Sequence, residues 1–279
     1  MSGTLRAGVI GFPIAHSRSP AIHRAWIEAL GLDAAYDAIE TPPQALADFV
    51  ERHRGGGVLK GVNVTIPHKE AALTLADIAS DTARQAGAAN VLIFRSDGVV
   101  EARNTDGAGM LEAFRIAAPG FRVHRARVLV LGAGGAARGA VAALAQAGAA
   151  QIVIVNRTFD KAQALADAFA GNAVAAPYDI LRAEVTADAV INATSQGLGS
   201  TQSPRLNWPV GGRGRVAMDM VYKDETTPFL ADAKARGWDA VEGLEMLIGQ
   251  AAPSFEAFYG APPPPNYRAL ALAAVKRAP

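Results

Sequence analysis

Not one of the 279 residues is a cysteine, which excludes disulfides, a thiolate nucleophile and a cysteine-bound zinc. Charge is scarce as well: Asp, Glu, Lys and Arg make up 19% of the chain and nearly cancel, leaving a formal net charge of +1. Such a balance offers no broad attraction to nucleic acid or to an anionic membrane, so neither is expected as a partner and any bound anion must be held locally. Long apolar runs are also missing, none approaching the roughly 18 residues of a membrane span. The N-terminal MSGTLRAGVIGFPIAHS breaks its short apolar piece at Gly11 and Pro13, unlike the apolar region of a signal peptide. A cytoplasmic protein is the expectation.

What is present is apolar residue in quantity. Half the chain is hydrophobic, which fits a compact fold, and the length suggests two domains at about 150 residues each. The 28 glycines and 16 prolines exceed the roughly 33 that average usage would give. Linkers or ligand-holding turns would both account for the excess, and position decides between them.

Short apolar runs alternate with longer periodic segments, the pattern of βαβ units and a parallel sheet. AGVIG reads as a strand. Ser19-Pro20 reads as N-cap and first position of a helix with Ile22, Trp26 and Leu30 on one face, ended by Gly31. YDAIE and LKGVNVTI read as strands around a helix PQALADFVERHR, with helices expected from His68 to about Ala76 and from Asp81 to Ala86. NVLIFR and VVEAR, joined by Ser96-Asp97-Gly98, read as a hairpin.

From Arg127 a second series begins: RVLVLG, a glycine cluster, the helix AARGAVAALAQAG, QIVIVNR, a helix to Phe169, ADAVINAT, VAMDMV and TPFLADAKARG. This is the layout of a doubly wound nucleotide-binding domain. A helix from about Leu244 is expected to kink or restart at Pro253, whose ring would clash with the Gly249 carbonyl. Pro262 to Pro265 reads as a stiff connector to a short helix near Arg268 to Lys276. The fold class is therefore α/β with two domains, an N-terminal α/β unit and a Rossmann-type doubly wound one.

Gly132-Ala133-Gly134-Gly135-Ala136-Ala137 follows an apolar strand and opens a helix. Gly132 permits the turn, Gly134 lets the backbone approach a pyrophosphate, and Ala137 lets helix and strand pack closely; a tight turn without a ligand is the alternative. The next strand ends in Asn156-Arg157-Thr158, with Lys161 a turn later. A carboxylate at that place would hold a free ribose 2′-OH, whereas a guanidinium pairs with a 2′-phosphate, so NADP is favoured over NAD. In the first domain, Ser17, Ser19, Asn63, Thr65, Lys69, Asn90, Asn104, Thr105 and Asp106 fall where strands end. Hydroxyls, amides and one lysine suit a small, hydroxylated, anionic molecule, although Ser19 and Asp106 also make ordinary helix caps and Asn104 an ordinary turn. The histidines at 16, 23, 53, 68 and 124 show no metal-ligand spacing, so no metal is expected, and His16 reads as a packed residue.

The strings GFPIAHSRSP, NVTIPHK, GAAN, NTDGAG, GAGGAAR, NRT, NATSQG, DMVY followed by TPFL, and GLEMLIGQA resemble, in order and across nearly the whole chain, those of the shikimate dehydrogenase family. The resemblance implies a substrate domain of residues 1–105 plus 244–279, a Rossmann NADP domain of residues 106–243, and reversible NADP-dependent reduction of 3-dehydroshikimate to shikimate, a step of aromatic amino acid and chorismate biosynthesis. By motif it implies Lys69 and Asp106 as the catalytic pair, with Lys69 the proton donor in the reductive direction. It implies Ser17, Ser19, Asn63, Thr65, Asn90, Asp106, Tyr222 and Gln250 around the substrate. For NADP it implies Asp81, Gly132, Ala133, Gly134, Gly135, Ala136, Asn156, Arg157, Thr158, Lys161, Thr194, Ser195, Met220, Gly243 and Met246, with the NATSQG stretch to Gly197 bordering the cofactor. GAAN stands where the family often has GAVN, and Ala102-Arg103 precede NTD where Gly is common, so Arg103 bears on the pocket's charge. A quinate/shikimate dehydrogenase with relaxed substrate or cofactor choice and a non-catalytic metabolite sensor are the competing readings, and a monomer or homodimer is expected.

Overall fold

The computed structural model describes residues 4–55, 57–196, 203–212, 214–223 and 225–277. The chain divides into two compact units, Met1–Thr105 with Gln250–Pro279, and Asp106–Gly249.

Unit 1 runs β1 (Leu5–Gly11), α1 (Ser19–Leu30), β2 (Ala34–Glu40), α2 (Leu46–His53), β3 (Leu59–Val64), α3 (Lys69–Leu75), β4 (Ile78–Ala79), α4 (Asp81–Ala86), β5 (Val91–Phe94) and β6 (Val100–Arg103). Its sheet has the order β2-β1-β3-β5-β6-β4. β1 is parallel to β2 and β3, while the expected hairpin β5–β6 is antiparallel and joins antiparallel to β3. Ile10, Val62, Val64, Leu92 and Val100 are buried with Leu46 and Phe49 of α2 in one core cluster. α1 buries Ile22 and Trp26, and Gly31 ends it in the left-handed conformation.

Unit 2 runs α5 (Asp106–Ala117), β7 (Arg127–Leu131), α6 (Gly135–Gln146), β8 (Gln151–Val155), α7 (Phe159–Asp167), β9 (Ala173–Ala176), β10 (Ala189–Asn192), β11 (Val216–Asp219), α8 (Pro228–Ala235) and β12 (Asp239–Glu242). The sheet order β12-β11-β10-β7-β8-β9 is parallel throughout. Counted within the unit this is the 6-5-4-1-2-3 order of a doubly wound dinucleotide fold, reversing direction between β7 and β10. Strands such as RVLVL and QIVIV are apolar at nearly every position because both faces are covered. Val128, Val130, Ile152 and Ile154 face one cluster, Leu129, Leu131 and Val155 the other. α9 (Gly243–Tyr259) crosses from unit 2 to unit 1, and α10 (Tyr267–Arg277) closes the chain against α1, Trp26 Nε1 donating to the Tyr267 carbonyl at 2.8 Å.

Several expectations need correction. Ser19 is the first residue of α1, not its N-cap; the cap position is Arg18, and the Ser17 hydroxyl accepts the Ser19 N–H at 3.4 Å. PQALADFVERHR is two pieces, a 3₁₀ turn at Pro43–Ala45 and then α2. The restart expected at Pro253 does not occur: α9 is one 17-residue helix with that proline inside. In the turn after the missing N–H, the Ser254 hydroxyl reaches back to the Gln250 and Ala251 carbonyls at 3.3 and 3.0 Å. The short strands β4, β9 and β12 were not foreseen, being two to four residues without a clear alternation.

Candidate functional site

In unit 2 the groups proposed for the dinucleotide gather at the carboxyl edge of the sheet, around the point where strand order reverses. Gly132 follows β7 with φ 111°, and a Cβ there would sit 2.9 Å from the Ala193 carbonyl and 3.3 Å from Thr194 Cγ2. Its N–H donates to the Val155 carbonyl at 2.8 Å, so the turn is wedged between the ends of β8 and β10. Gly134 caps α6 in extended conformation, and a Cβ there would meet nothing within 4 Å, which leaves an open approach to the helix N-terminus and its free N–H groups. Ala133, Gly135 and Ala136 complete this turn, and Ala137 is fully buried against the strands.

The end of β8 carries Asn156, whose amide donates to the Thr158 carbonyl at 2.9 Å and shapes the turn; Arg157, Thr158 and Lys161 are exposed there. No carboxylate occupies this stretch before Asp160, and two cations face solvent, which suits a 2′-phosphate. At the other side of the reversal, the Met220 N–H donates to the Asn192 carbonyl at 2.9 Å. Gly243 lies under Met220: a Cβ would come within 2.7 Å of the Met220 carbonyl. Gly243, Met220, Thr194, Gly132 and Asn156 thus occupy successive strand ends in spatial order. Ser195 is exposed beside Thr194, whereas Gly197 lies outside the described residues. Met246 is different in kind, a core side chain 7% exposed among the apolar residues of unit 2. Asp81 belongs to unit 1, where it opens α4 and pairs with Arg84.

In unit 1 a second polar set meets at strand ends. Asn63, at the end of β3, accepts from the Tyr36 hydroxyl at 2.7 Å through Oδ1 and donates through Nδ2 to the Asn90 carbonyl at 3.4 Å. Asn90 donates through Nδ2 to Thr105 Oγ1 (2.9 Å) and to Gln250 Oε1 (3.1 Å), and its Oδ1 accepts the Thr105 N–H at 2.7 Å. Thr105 in turn donates to the Gln250 carbonyl at 3.0 Å. With its oxygen turned to Asn90, Gln250 presents its amide N–H groups elsewhere. Asn63, Asn90, Thr105 and Gln250 are each under 9% exposed, so the unit holds a buried amide and hydroxyl network assembled from three distant chain segments.

Elsewhere in unit 1, Ser19 is buried and Ser17 half-buried, while Thr65 is tied by its N–H to the Ile10 carbonyl at 3.0 Å. Lys69 is the first residue of α3, a start pinned by its neighbour: His68 Nε2–H donates to the Thr41 carbonyl at 2.6 Å. Asp106, 4% exposed, is the first residue of α5 and so of unit 2, as Tyr222 also belongs to unit 2. Arg103 is ion-paired with Glu101 at 2.6 Å, which answers its charge within the strand. His16 is exposed, not packed as expected. Among the described residues no group of three or more His, Asp or Glu is placed to hold a metal ion.

The site residues that sequence reasoning passed over are the partners behind these groups. Tyr36 completes the unit 1 network, and Asn192, Asp219 and Thr227 form a buried one in unit 2. A carboxylate inside the apolar run VAMDMV was the available signal for Asp219.

Comparison with known proteins places this geometry. Residues 9–92 match the family model for the shikimate dehydrogenase substrate binding domain, and residues 115–202 that for shikimate/quinate 5-dehydrogenase. A shikimate dehydrogenase (NADP(+)) of Caulobacter vibrioides is 54% identical over 268 residues, 95% of this chain and 94% of the relative. The crystal structure of shikimate 5-dehydrogenase from Thermus thermophilus, in complex with NADP(H) and shikimate, has a TM-score of 0.84 and 39% identity, covering 97% of this chain and 99% of that one. Quinate dehydrogenase from Corynebacterium glutamicum in complex with NAD has a TM-score of 0.83 at 29% identity, covering 98% and 100%.

Proposed function

The chain belongs to the shikimate dehydrogenase family, and on that premise we propose that it catalyses the reversible, NADP-dependent reduction of 3-dehydroshikimate to shikimate. The observation that carries the reading is 54% identity across 95% of the chain to an NADP(+)-linked shikimate dehydrogenase. The exposed Arg157 and Lys161 beside an open Gly134 turn fit the phosphates of that dinucleotide. When bound, it supplies the hydride.

The residues divide the remaining work. Unit 1 is the substrate domain and unit 2 the cofactor domain of this proposal. Ser17 and Ser19 hold the substrate carboxylate; Asn63, Thr65, Asn90, Gln250 and Tyr222 bind its hydroxyls or ring. As hydride reaches the ring carbonyl carbon and a C–H bond forms, negative charge develops on the oxygen, and a proton must arrive there. Lys69 gives that proton in the reductive direction and takes it back in oxidation, with Asp106 its partner in the transfer. Thr105 holds the Asn90 side chain, and Asn90 in turn holds the Gln250 amide through Oε1, so their polar groups keep fixed directions before substrate binds. The proposal includes a cytoplasmic location and a monomer or homodimer; among the described residues no helix is long and apolar enough to cross a membrane.

Absorbance at the reduced dinucleotide band, with shikimate or quinate and with NADP or NAD, tests the reading in four combinations. Shikimate with NADP should give the highest kcat/KM. A second reading, a quinate/shikimate enzyme of relaxed choice, is favoured by the structural likeness to a quinate dehydrogenase and would show comparable turnover of quinate or with NAD. No turnover in any combination contradicts both.

A further inference from the structure

Unit 2 contains a buried chain of hydrogen bonds whose donors converge on one carboxylate from both sides. The Thr227 hydroxyl donates to Oδ2 of Asp219 at 2.7 Å. Oδ1 of Asp219 accepts the Val221 N–H at 3.1 Å and the Asn192 amide at 2.9 Å. Asn192 Oδ1 then accepts the Thr194 hydroxyl at 2.7 Å and the Thr194 N–H at 3.1 Å, and Thr194 Oγ1 accepts the Gln196 N–H at 3.1 Å. Asn192, Asp219 and Thr227 are 0%, 1% and 3% exposed.

The arrangement follows from one group. An ionised carboxylate only accepts, so Asn192 must turn its NH₂ toward Asp219 and its oxygen away. That oxygen obliges the Thr194 hydroxyl to donate inward, which leaves the Thr194 lone pairs for Gln196. Burial raises the Asp219 carboxyl to about 6, against the hydrogen bonds it accepts and the attraction of Lys223, so it is ionised at neutral pH. The same carboxylate sits at the root of the Met220 loop, through the Val221 N–H, and that loop is clasped by Asn192 through the Met220 N–H and backed by Gly243.

We propose that Asp219 is a positioning residue for dinucleotide binding: its carboxylate, accepting from both sides, fixes which groups of Thr227, Asn192 and Thr194 donate and so holds the two strand-end loops that carry Thr194 and Met220. It acts through Asn192 and the loop backbones. The proposal rests on the assignment of Thr194 and Met220 to the NADP site.

Asp219→Asn tests it, because the amide keeps the shape yet has one oxygen only: an NH₂ turned to Oδ1's place opposes the Asn192 NH₂ and the Val221 N–H, and one turned to Thr227 removes an acceptor and forces that hydroxyl to accept instead of donate. Thr227→Val, which removes the donor, and Thr227→Ser, which restores it, form a second pair remote from the strand-end loops. In the full-length protein, NADPH affinity is read from the fluorescence of the bound dinucleotide, KM is measured separately for NADP and shikimate, and folding is checked by the melting temperature. Asp219→Asn should raise the NADPH Kd and the NADP KM about tenfold, the effect expected of a lost hydrogen bond to a charged group, with shikimate KM changed less than about twofold. Thr227→Val should act in the same direction and Thr227→Ser should restore wild-type affinity. Unchanged NADPH affinity in folded Asp219→Asn overturns the proposal, as does equal weakening of both ligands, which marks a general loss of structure. Should Asp219→Asn fail to fold, the Thr227 pair decides alone: equal NADPH affinity in Thr227→Val and Thr227→Ser overturns it. Wild-type protein that binds no NADPH overturns the cofactor assignment itself, and this proposal with it, before any variant is made.

Discussion

The imidazole of His23 lies on the ring of Tyr36, 3.9 Å between centroids and 11° from parallel. Trp26, Phe255 and Phe258 stand around it at 5.6, 5.8 and 6.3 Å, and neither ring nitrogen has a hydrogen-bond partner among the described residues. Burial lowers its pKa to about 3, so this histidine serves as a neutral aromatic in the core of unit 1. The ring it stacks on is the one whose hydroxyl orients Asn63.

The consequence is acid sensitivity. The unfolded imidazole takes a proton near pH 6.5 and the folded one only near pH 3, so stability is complete above 6.5 and falls as pH drops between them. At pH 4.5 the loss from this source is about 3 kcal/mol relative to pH 7. His23→Phe, denatured with urea at both pH values, should lose correspondingly less. An equal loss in variant and wild type contradicts the assignment.

Asp219 works in the opposite sense. Its folded pKa, raised from 3.8 to about 6, means the folded state holds a proton that the unfolded chain has released. Its effect on stability is therefore most favourable below pH 4 and declines as pH rises through 6. Wild type should gain about 2 kcal/mol over Asp219→Asn on passing from pH 7 to pH 4.5, and urea titrations of the pair at each pH measure it.

Lys69→Ala removes the proposed proton donor at the start of α3. Loss of such a group costs about 10² to 10⁴ in rate. Steady-state kinetics should show that loss in kcat with little change in the KM for shikimate. Near-wild-type turnover would end the assignment.

Gly107 tests a structural requirement. A Cβ there would lie 2.5 Å from the Cβ of Ala143 and 3.0 Å from the Gly139 carbonyl, where α5 rests on α6. Gly107→Ala should cost about 1 to 3 kcal/mol as an overpacked contact, visible in the urea midpoint. Gly109, in the same NTDGAG string, meets Gly249, a Cβ on the latter falling 3.0 Å from the Gly109 Cα. These two glycines serve helix packing, while Gly132 keeps the turn expected of it.

Local chemistry was legible along the chain. GAGGAAR after an apolar strand carries its own turn, and Asn156-Arg157-Thr158 declares its charge preference within three residues. Alternating strands and helices specified two α/β units because burial on both faces demands continuous apolar strands. The ordered motifs also carried the family. Long-range pairing was not legible. Asn90 and Gln250 are 160 positions apart and Tyr36 and Asn63 27 apart, and nothing in their neighbours announces that they bond. His23 read as one polar residue among five histidines until the fold surrounded it with rings.

By itself, then, the sequence determined which backbone turns and charges this protein possesses, because a glycine's φ, a proline's ring or a guanidinium's charge acts over a few residues. Tertiary structure alone decided which amide faces donate, that His23 stays neutral and that donors from two sides converge on Asp219. Those properties depend on desolvation and on partners brought together from distant segments, and both come into being only when the core closes.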